Sequence, residues 1–408
     1  MAINHSSSMF IGETSRGVSQ PVFWDTHTPL YNNKPPSTLV TGAPGSGKTN
    51  FALTVTAISA LLGKTTVVID PKGDFVSLYN LKDELGDITF WNLGQDGGAA
   101  RGRAGVLDPF YMSDDPGETL SMVMSVIDLF VGGLTPGART AIAPIIQDVI
   151  QMPVPSLKKV VEMARSSDRR DAQDLGTSLN IISKMPISKL CFSPGNRSRS
   201  KASLEKGLTV ITLGGITLPS PEESKTTDQG RLISGVLYLL TDFVRRMMHN
   251  DESMMPKLIV IDECWAVTSS QAGAEVVKNV ALLGRSKNTA LMLITQNVSH
   301  LSNLDIENTI TTRFAFQTDQ REASSIIHAM NLPEGEDFER VLTGLNVGEC
   351  LMQDFLKRSS TVQISVWRKD WLDAFQTNPF EKAKKEKERL LRQRQQMAAQ
   401  QAQQNKPI

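Results

Sequence analysis

The chain has 408 residues, 40% of them apolar and 21% charged, and its 43 basic side chains are matched by 43 acidic ones. That is enough for one large domain or two to three ordinary ones, and the zero balance removes any chain-wide electrostatic case for nucleic acid or an anionic membrane. Cys191, Cys264 and Cys350 stand far apart, as do His5, His27, His249, His300 and His328, so neither a disulfide framework nor a metal cluster is indicated, and reduced thiols in a cytosolic protein are expected.

Residues 1–37 read as an irregular lead-in with one strand, Pro21 to Trp24, closed by Pro35-Pro36. The start, around His5 and Ser6-Ser7-Ser8, has neither the basic nor the apolar stretch of a signal peptide. No apolar run along the chain is long enough to cross a bilayer. The decisive run is Thr38 to Thr49: a short apolar strand, then the full G-x-x-x-x-G-K-T phosphate loop, with helical spacing from Asn50 to Leu62. Glycines 42, 45 and 47 let the backbone curl until successive N–H groups point at one anion, and the helix start adds its dipole. Gly42, Ala43, Pro44, Gly45, Ser46, Gly47, Lys48, Thr49 and Asn50 are therefore the candidate nucleotide-binding residues. Lys48 can reach the β- and γ-phosphates, and the Thr49 hydroxyl can ligate Mg²⁺.

Thr65 to Ile69 and Ile88 to Leu93 are further strands, and a loose loop runs from Gly94 to Gly105. Strands alternating with helices predict an α/β fold, a mostly parallel sheet covered on both faces. The alternation breaks from about Asp114 to Lys206, where helices are expected at Thr119 to Phe130, Ala138 to Gln151, Leu157 to Ala164 and Asp171 to Ser183. It resumes with a strand at Leu208 to Leu213, a helix at Gly230 to Met248, the strand Leu258 to Ile261 and a helix at Ala274 to Leu283. Strands at Ala290 to Thr295, Phe314 to Gln317, Cys350 to Phe355 and Thr361 to Trp367 complete the pattern. The expected division is a core in two parts, 38–113 and 207–378, an all-α insertion at 114–206 and a polar helical tail at 379–408. The tail has almost no apolar face, as a solvated helix does, with a subunit or nucleic-acid contact through Lys382, Lys384, Lys385, Lys387, Arg389, Arg392 and Arg394 as the alternative.

Leu258 to Ile261, four apolar residues, read as a buried strand that presents Asp262 and Glu263 at its C-terminal end. Asp262 is placed to hold Mg²⁺ through water, and Glu263 to polarise the water that attacks the γ-phosphorus of ATP. The pair favours a motor-type ATPase, and no Asn-Lys-x-Asp sequence offers guanine recognition. The strand Leu291 to Thr295 ends in Gln296, which reaches the γ-phosphate if this strand lies between the phosphate-loop strand and the acidic strand. Arg285, eleven residues before Gln296, is the candidate to act across a ring interface on a neighbour's nucleotide, with Arg313 and Arg321 as rivals. This reading requires Lys48 and Glu263 to converge on one phosphoryl group.

Together these residues resemble the HerA/FtsK superfamily of ring-forming P-loop ATPases, and within it the TraC/VirB-type ATPases of conjugative type IV secretion, the fourth VirB component. Gly17 to Asp25 is similar to the strand those proteins place before the phosphate loop. Ile69-Asp70-Pro71-Lys72-Gly73-Asp74 resembles their Asp-Pro-x-Gly-Glu/Asp segment, and Asp262-Glu263-Cys264-Trp265 their Asp-Glu-Ala-Trp. Leu107-Asp108-Pro109-Phe110 is similar to their Asn-Pro-Phe/Leu segment, with Asp108 in place of Asn. The resemblance implies a RecA-like core with an all-α subdomain, a homo-hexamer, secretion-system partners, and a cytoplasmic location at the inner face of the membrane reached through those partners. Members also carry a long N-terminal docking domain, for which residues 1–37 are too short. A bare motor could equally translocate duplex DNA or package a genome, with Gly97 to Arg103 and Arg197 to Lys201 as candidate phosphate contacts. A nucleotide-gated scaffold with little turnover is the reading from another class, and the Asp262-Glu263 pair speaks against it.

Overall fold

Strands buried along their whole length need cover on both faces, and here they form the middle of one sheet. The computed structural model describes residues 8–94, 104–193, 207–220, 222–250, 255–298, 301, 309–333, 335–366 and 368–375. The order is β1 (Met9–Thr14), β2 (Pro21–Trp24), β3 (Ser37–Thr41), α1 (Lys48–Leu61), β4 (Thr65–Asp70), β5 (Ile88–Asn92), α2 (Pro116–Val131), α3 (Pro136–Ile150), α4 (Leu157–Arg165) and α5 (Arg170–Ile182). Then come β6 (Leu208–Thr212), α6 (Asp228–Asn250), β7 (Lys257–Ile261), α7 (Gln271–Leu283), β8 (Thr289–Thr295), β9 (Thr312–Phe316), α8 (Gln320–Ala329), α9 (Glu336–Thr343), β10 (Glu349–Gln353) and β11 (Ser359–Ile364), joined by shorter helical turns.

The sheet has eleven strands in the order β2-β1-β11-β10-β9-β3-β8-β7-β4-β6-β5. From β9 to β5 all neighbours are parallel, while β10, β11, β1 and β2 add an antiparallel flank. Alternate residues of a strand face opposite sides. Leu39, Val67 and Ile69 thus join an apolar core with helices α2 to α7, whereas Val40 and Val68 join a second core built on Phe51, Val55 and Phe314 of α1 and β9. β8 lies between β3 and β7, as the sequence required, so the C-terminal ends of β3, β8, β7 and β4 share one edge of the sheet.

The lead-in holds two strands rather than the one expected. β1 pairs with both β2 and β11, so the beginning of the described chain is stitched to its end. Gly12 interrupts the apolar pattern of β1 because it sits where the backbones crowd: its φ is 151°, and a Cβ there would lie 2.0 Å from the Gln363 carbonyl oxygen. The helical segment has side-chain N-caps at Asp115, Thr135 and Ser156. Its apolar residues share one continuous core with the sheet. Cys191, Cys264 and Cys350 are free and buried.

Asp108, which replaces the expected Asn, pins this segment in place. It is fully buried, and its carboxylate accepts from the N–H groups of Phe110 (3.2 Å), Leu157 (3.2 Å) and Ser193 (3.0 Å), joining the turn after β5 to the start of α4 and the end of the helical segment. A carboxylate offers more acceptor positions than an amide. Asp108→Ala strands these donors in a dry interior at about 1–3 kcal/mol each. Urea unfolding should show a loss of about 3 kcal/mol, with a smaller loss for Asp108→Asn, which retains one acceptor oxygen.

Candidate functional site

The phosphate loop is held from below by the strands beside it. Ala43 N–H donates to the Gln317 carbonyl just past β9 (2.7 Å), and Gly348 N–H, just before β10, donates to the Ser46 carbonyl (2.9 Å). This close approach explains two glycines. A Cβ on Gly42 (φ 144°) would lie 2.8 Å from that of Phe316, and one on Gly47 (φ 110°) would lie 3.0 Å from the Gly348 backbone. Gly47 also caps α1, whose first turn carries Lys48, Thr49 and Asn50. Pro44 and Gly45 are exposed at the mouth of the loop.

Lys48 is buried and folds back to donate to the Ala43 carbonyl at 2.8 Å. Burial pushes its amine down to about 8, against the opposing pull of Glu263 and Asp262 and with help from the charge of Lys72. The charges of Lys48 and the two carboxylates are thus near enough to interact. Ser46 Oγ is buried and has no hydrogen-bond partner among the described residues. A glycine-rich loop running into a helix start, an inward lysine and an unmatched hydroxyl make a cradle shaped for phosphate oxygens.

Facing it, β7 delivers Asp262 and Glu263, both buried. Burial drives the Asp262 carboxyl well above the usual carboxylate range, and the negative charges of Asp70, Glu263 and Asp74 add to the effect. A buried acid crowded by acids favours a cation, so Asp262, with the half-buried Thr49, fits Mg²⁺. Among the described residues no group of three or more His, Cys, Asp or Glu could hold a metal ion, so such an ion would depend on the nucleotide's own oxygens.

Glu263 has φ 46°, a left-handed conformation uncommon for a residue with a side chain, found at positions the surroundings over-determine. Its carboxylate accepts from Gln296 Nε2 (2.7 Å), Trp265 Nε1 (2.6 Å) and Lys72 Nζ. The structure therefore brings Gln296 to the glutamate from the neighbouring strand. It also adds Lys72 and Trp265, to which sequence reasoning gave no role of their own. Lys72 rides on a turn that Asp70 organises by accepting from the N–H groups of Gly73 (2.8 Å), Phe75 (2.8 Å) and Asp74 (3.2 Å). Burial lifts the Asp70 carboxyl to about 6 against the pull of those N–H groups. The signal for Lys72 was its place in a motif segment directly after β4, the strand next to β7.

Arg285 does not join this cluster. It is exposed before the first residue of β8, at the opposite end of that strand from Gln296, and donates to the carbonyl (3.3 Å) and side-chain oxygen (2.9 Å) of Asn33. Its rival Arg313 is buried in β9, and Arg321 opens α8. The basic stretches at Arg101 to Arg103 and Arg197 to Lys201, and the polar tail, lie outside the described residues.

A protein-family model described as an AAA-like domain matches residues 29–375. The Bacillus subtilis (strain 168) protein YddE, described as uncharacterized, is 27% identical over 221 residues, a stretch that makes up 53% of this chain and 26% of YddE. The chain therefore spans about a quarter of the length of that relative. Among solved structures, VirB4 of Thermoanaerobacter pseudethanolicus matches with a TM-score of 0.72 at 15% identity, over 90% of this chain and 98% of that one. The plasmid coupling protein TrwB, solved with ADP and Mg²⁺, matches with a TM-score of 0.57 at 13% identity, over 83% of this chain and 87% of that one. These likenesses establish a shared fold.

The depressed Lys48 amine sets a pH dependence. An incoming phosphate raises its pKa, so binding near pH 8 takes up protons and affinity falls as pH rises above about 8, the value in the empty protein. Calorimetry at pH 8.5 in two buffers of different ionisation enthalpy should give different apparent binding heats. At pH 6.5, where the lysine is already charged, that difference should vanish if no other group takes part.

Proposed function

The chain belongs to the AAA-like domain family, and on that footing we propose that it is an ATP-hydrolysing, ring-forming motor that powers conjugative transfer through a type IV secretion system. The observation that carries the catalytic part is the placement of Glu263, buried and held by Gln296 and Trp265 opposite the inward Lys48. The fold shared with VirB4 and with TrwB, a bacterial conjugative coupling protein, supports the process.

In this reading the backbone N–H groups of Gly45, Gly47, Lys48 and Thr49 and the Lys48 ammonium bind the β- and γ-phosphates. Glu263 takes a proton from a water as its oxygen bonds to the γ-phosphorus. The bond from that phosphorus to the bridging oxygen breaks, and ADP carries the electron pair away. Thr49 and Asp262 would hold Mg²⁺, whose charge would neutralise that of the phosphate oxygens. Gln296, bonded to Glu263 from β8, registers whether the terminal phosphate is present. Arg285 is exposed and distant from the loop of its own chain, which suits a role at the site of a neighbouring subunit in a hexamer. The motor works at the cytoplasmic face of the membrane through secretion partners; no helix among the described residues is long and apolar enough to cross a bilayer.

Glu263→Gln should retain ATP while turnover falls by roughly 10²–10⁴-fold, the usual worth of a general base. Lys48→Ala should abolish productive binding. Normal turnover by the glutamine variant would remove Glu263 as the base. If subunits complete one another's sites, specific activity should climb with protein concentration until rings form, and Arg285→Ala should lose that rise. Constant specific activity in a protein shown to stay monomeric would end the ring proposal.

A further inference from the structure

Glu263 is encumbered for a base. Lys72 and Gln296 both bond its Oε1, and Trp265 bonds its Oε2. To take a proton from water, a carboxylate needs a free lone pair aimed at that water. Gln296 and Trp265 are neutral and fixed, one at the end of β8 and the other two residues along the chain from Glu263. Lys72 differs on both counts: it is charged, and its side chain is 40% exposed, against 7% for the glutamate it touches.

The turn that carries Lys72 is rigid. Asp70 accepts from three consecutive N–H groups, at residues 73, 74 and 75, so the backbone on either side of the lysine is fixed and only its flexible stem can travel. Its charge is also felt at Lys48, the lysine of the phosphate loop. The two lysines are thus near enough for their charges to interact, and only Lys48 is assigned to phosphate.

We propose that Lys72 is a second terminal-phosphate lysine: it holds Glu263 while the site is empty and moves to the γ-phosphate of bound ATP, which frees Glu263 for water. The inference rests on the nucleotide-hydrolysing reading above. The physical reason is competition between anions. A terminal phosphate offers more charge and more acceptor oxygens than a carboxylate already satisfied by two neutral donors, so the ammonium transfers when that phosphate arrives. ADP lacks the group and leaves Lys72 where it is. The device ties release of the base to the presence of something to hydrolyse.

The test compares binding of ADP and of a non-hydrolysable ATP analogue, each with Mg²⁺, to the full chain by calorimetry. Lys72→Met should weaken the analogue by roughly tenfold, the worth of one modest charge-assisted contact, and shift ADP by less than about twofold. Lys72→Arg should keep most of the discrimination. Glu263→Gln weakens the competing anion, so it should tighten the analogue alone, and adding Lys72→Met should erase that gain, a non-additivity expected only of coupled groups. Equal effects on ADP and the analogue, or none on either, would overturn the proposal while leaving the motor intact. Failure of the unaltered chain to bind either nucleotide would remove both.

Discussion

The position of the Glu263 carboxylate depends on the parallel register that brings the C-terminal ends of β3, β4, β7 and β8 to one edge of the sheet. A parallel sheet gives every strand the same direction, so loops that leave the carboxyl ends gather on one side whatever their separation in sequence. Lys48, Lys72, Asp262 and Gln296 come from four such ends. Each is only a polar residue closing a strand until the sheet order sets them beside one another. The left-handed backbone of Glu263 is the local cost of turning the side chain into that shared space, and it persists because Trp265 and Gln296 fix the carboxylate from two sides.

The electrostatics follow from that crowding. Asp70 and Asp262 are both raised, each chiefly by burial. Asp70 is partly relieved by the N–H groups of its own turn, and its role is to shape the backbone. Asp262 sits among Asp70, Glu263 and Asp74, an excess of negative charge that the Lys72 charge partly relieves, which suits it to a divalent cation. The same segment of chain thus contains an acid satisfied by amides and lies beside an acid that is not. The difference lies in whether the donors are built into the protein.

Much of this was legible in the residues. The phosphate loop, the buried run that ends in Asp262-Glu263 and the strand that ends in Gln296 are local patterns with local causes, and the structure places them as the alternation of strands and helices demanded. What stayed hidden involves partners far apart in the chain. Lys72 meets Glu263 across 191 residues, which only the adjacency of β4 and β7 can reveal. The strand β1 escaped notice because Gly12 breaks its apolar alternation, and its reason for existing is a pairing with β11 at the other end of the chain. Asp108 looked like a departure from a motif. Its three buried amide donors, two of them from residues 49 and 85 positions away, explain why an acid serves there.

A second lysine–carboxylate pair shows what Lys72 would look like if its role were purely structural. At the opposite, amino end of β4, Lys64 Nζ meets Asp25 Oδ1 at 2.5 Å, and their side chains are 3% and 1% exposed. Thr26 and His27 complete the shell, and burial together with the Lys64 charge pushes His27 down to about 4, so the imidazole is neutral near pH 7. Breaking that pair would strand a charge in a dry interior, so it locks the lead-in strand against the sheet. Lys72 and Glu263 lie at the carboxyl end of neighbouring strands with the same chemistry and a different setting: one partner is buried and the other reaches solvent. Desolvation is what makes an ion pair permanent, and the half-open pair at the nucleotide edge lacks that constraint. One strand therefore carries a fixed charge pair at the end that holds the fold and a releasable one at the end where chemistry is proposed.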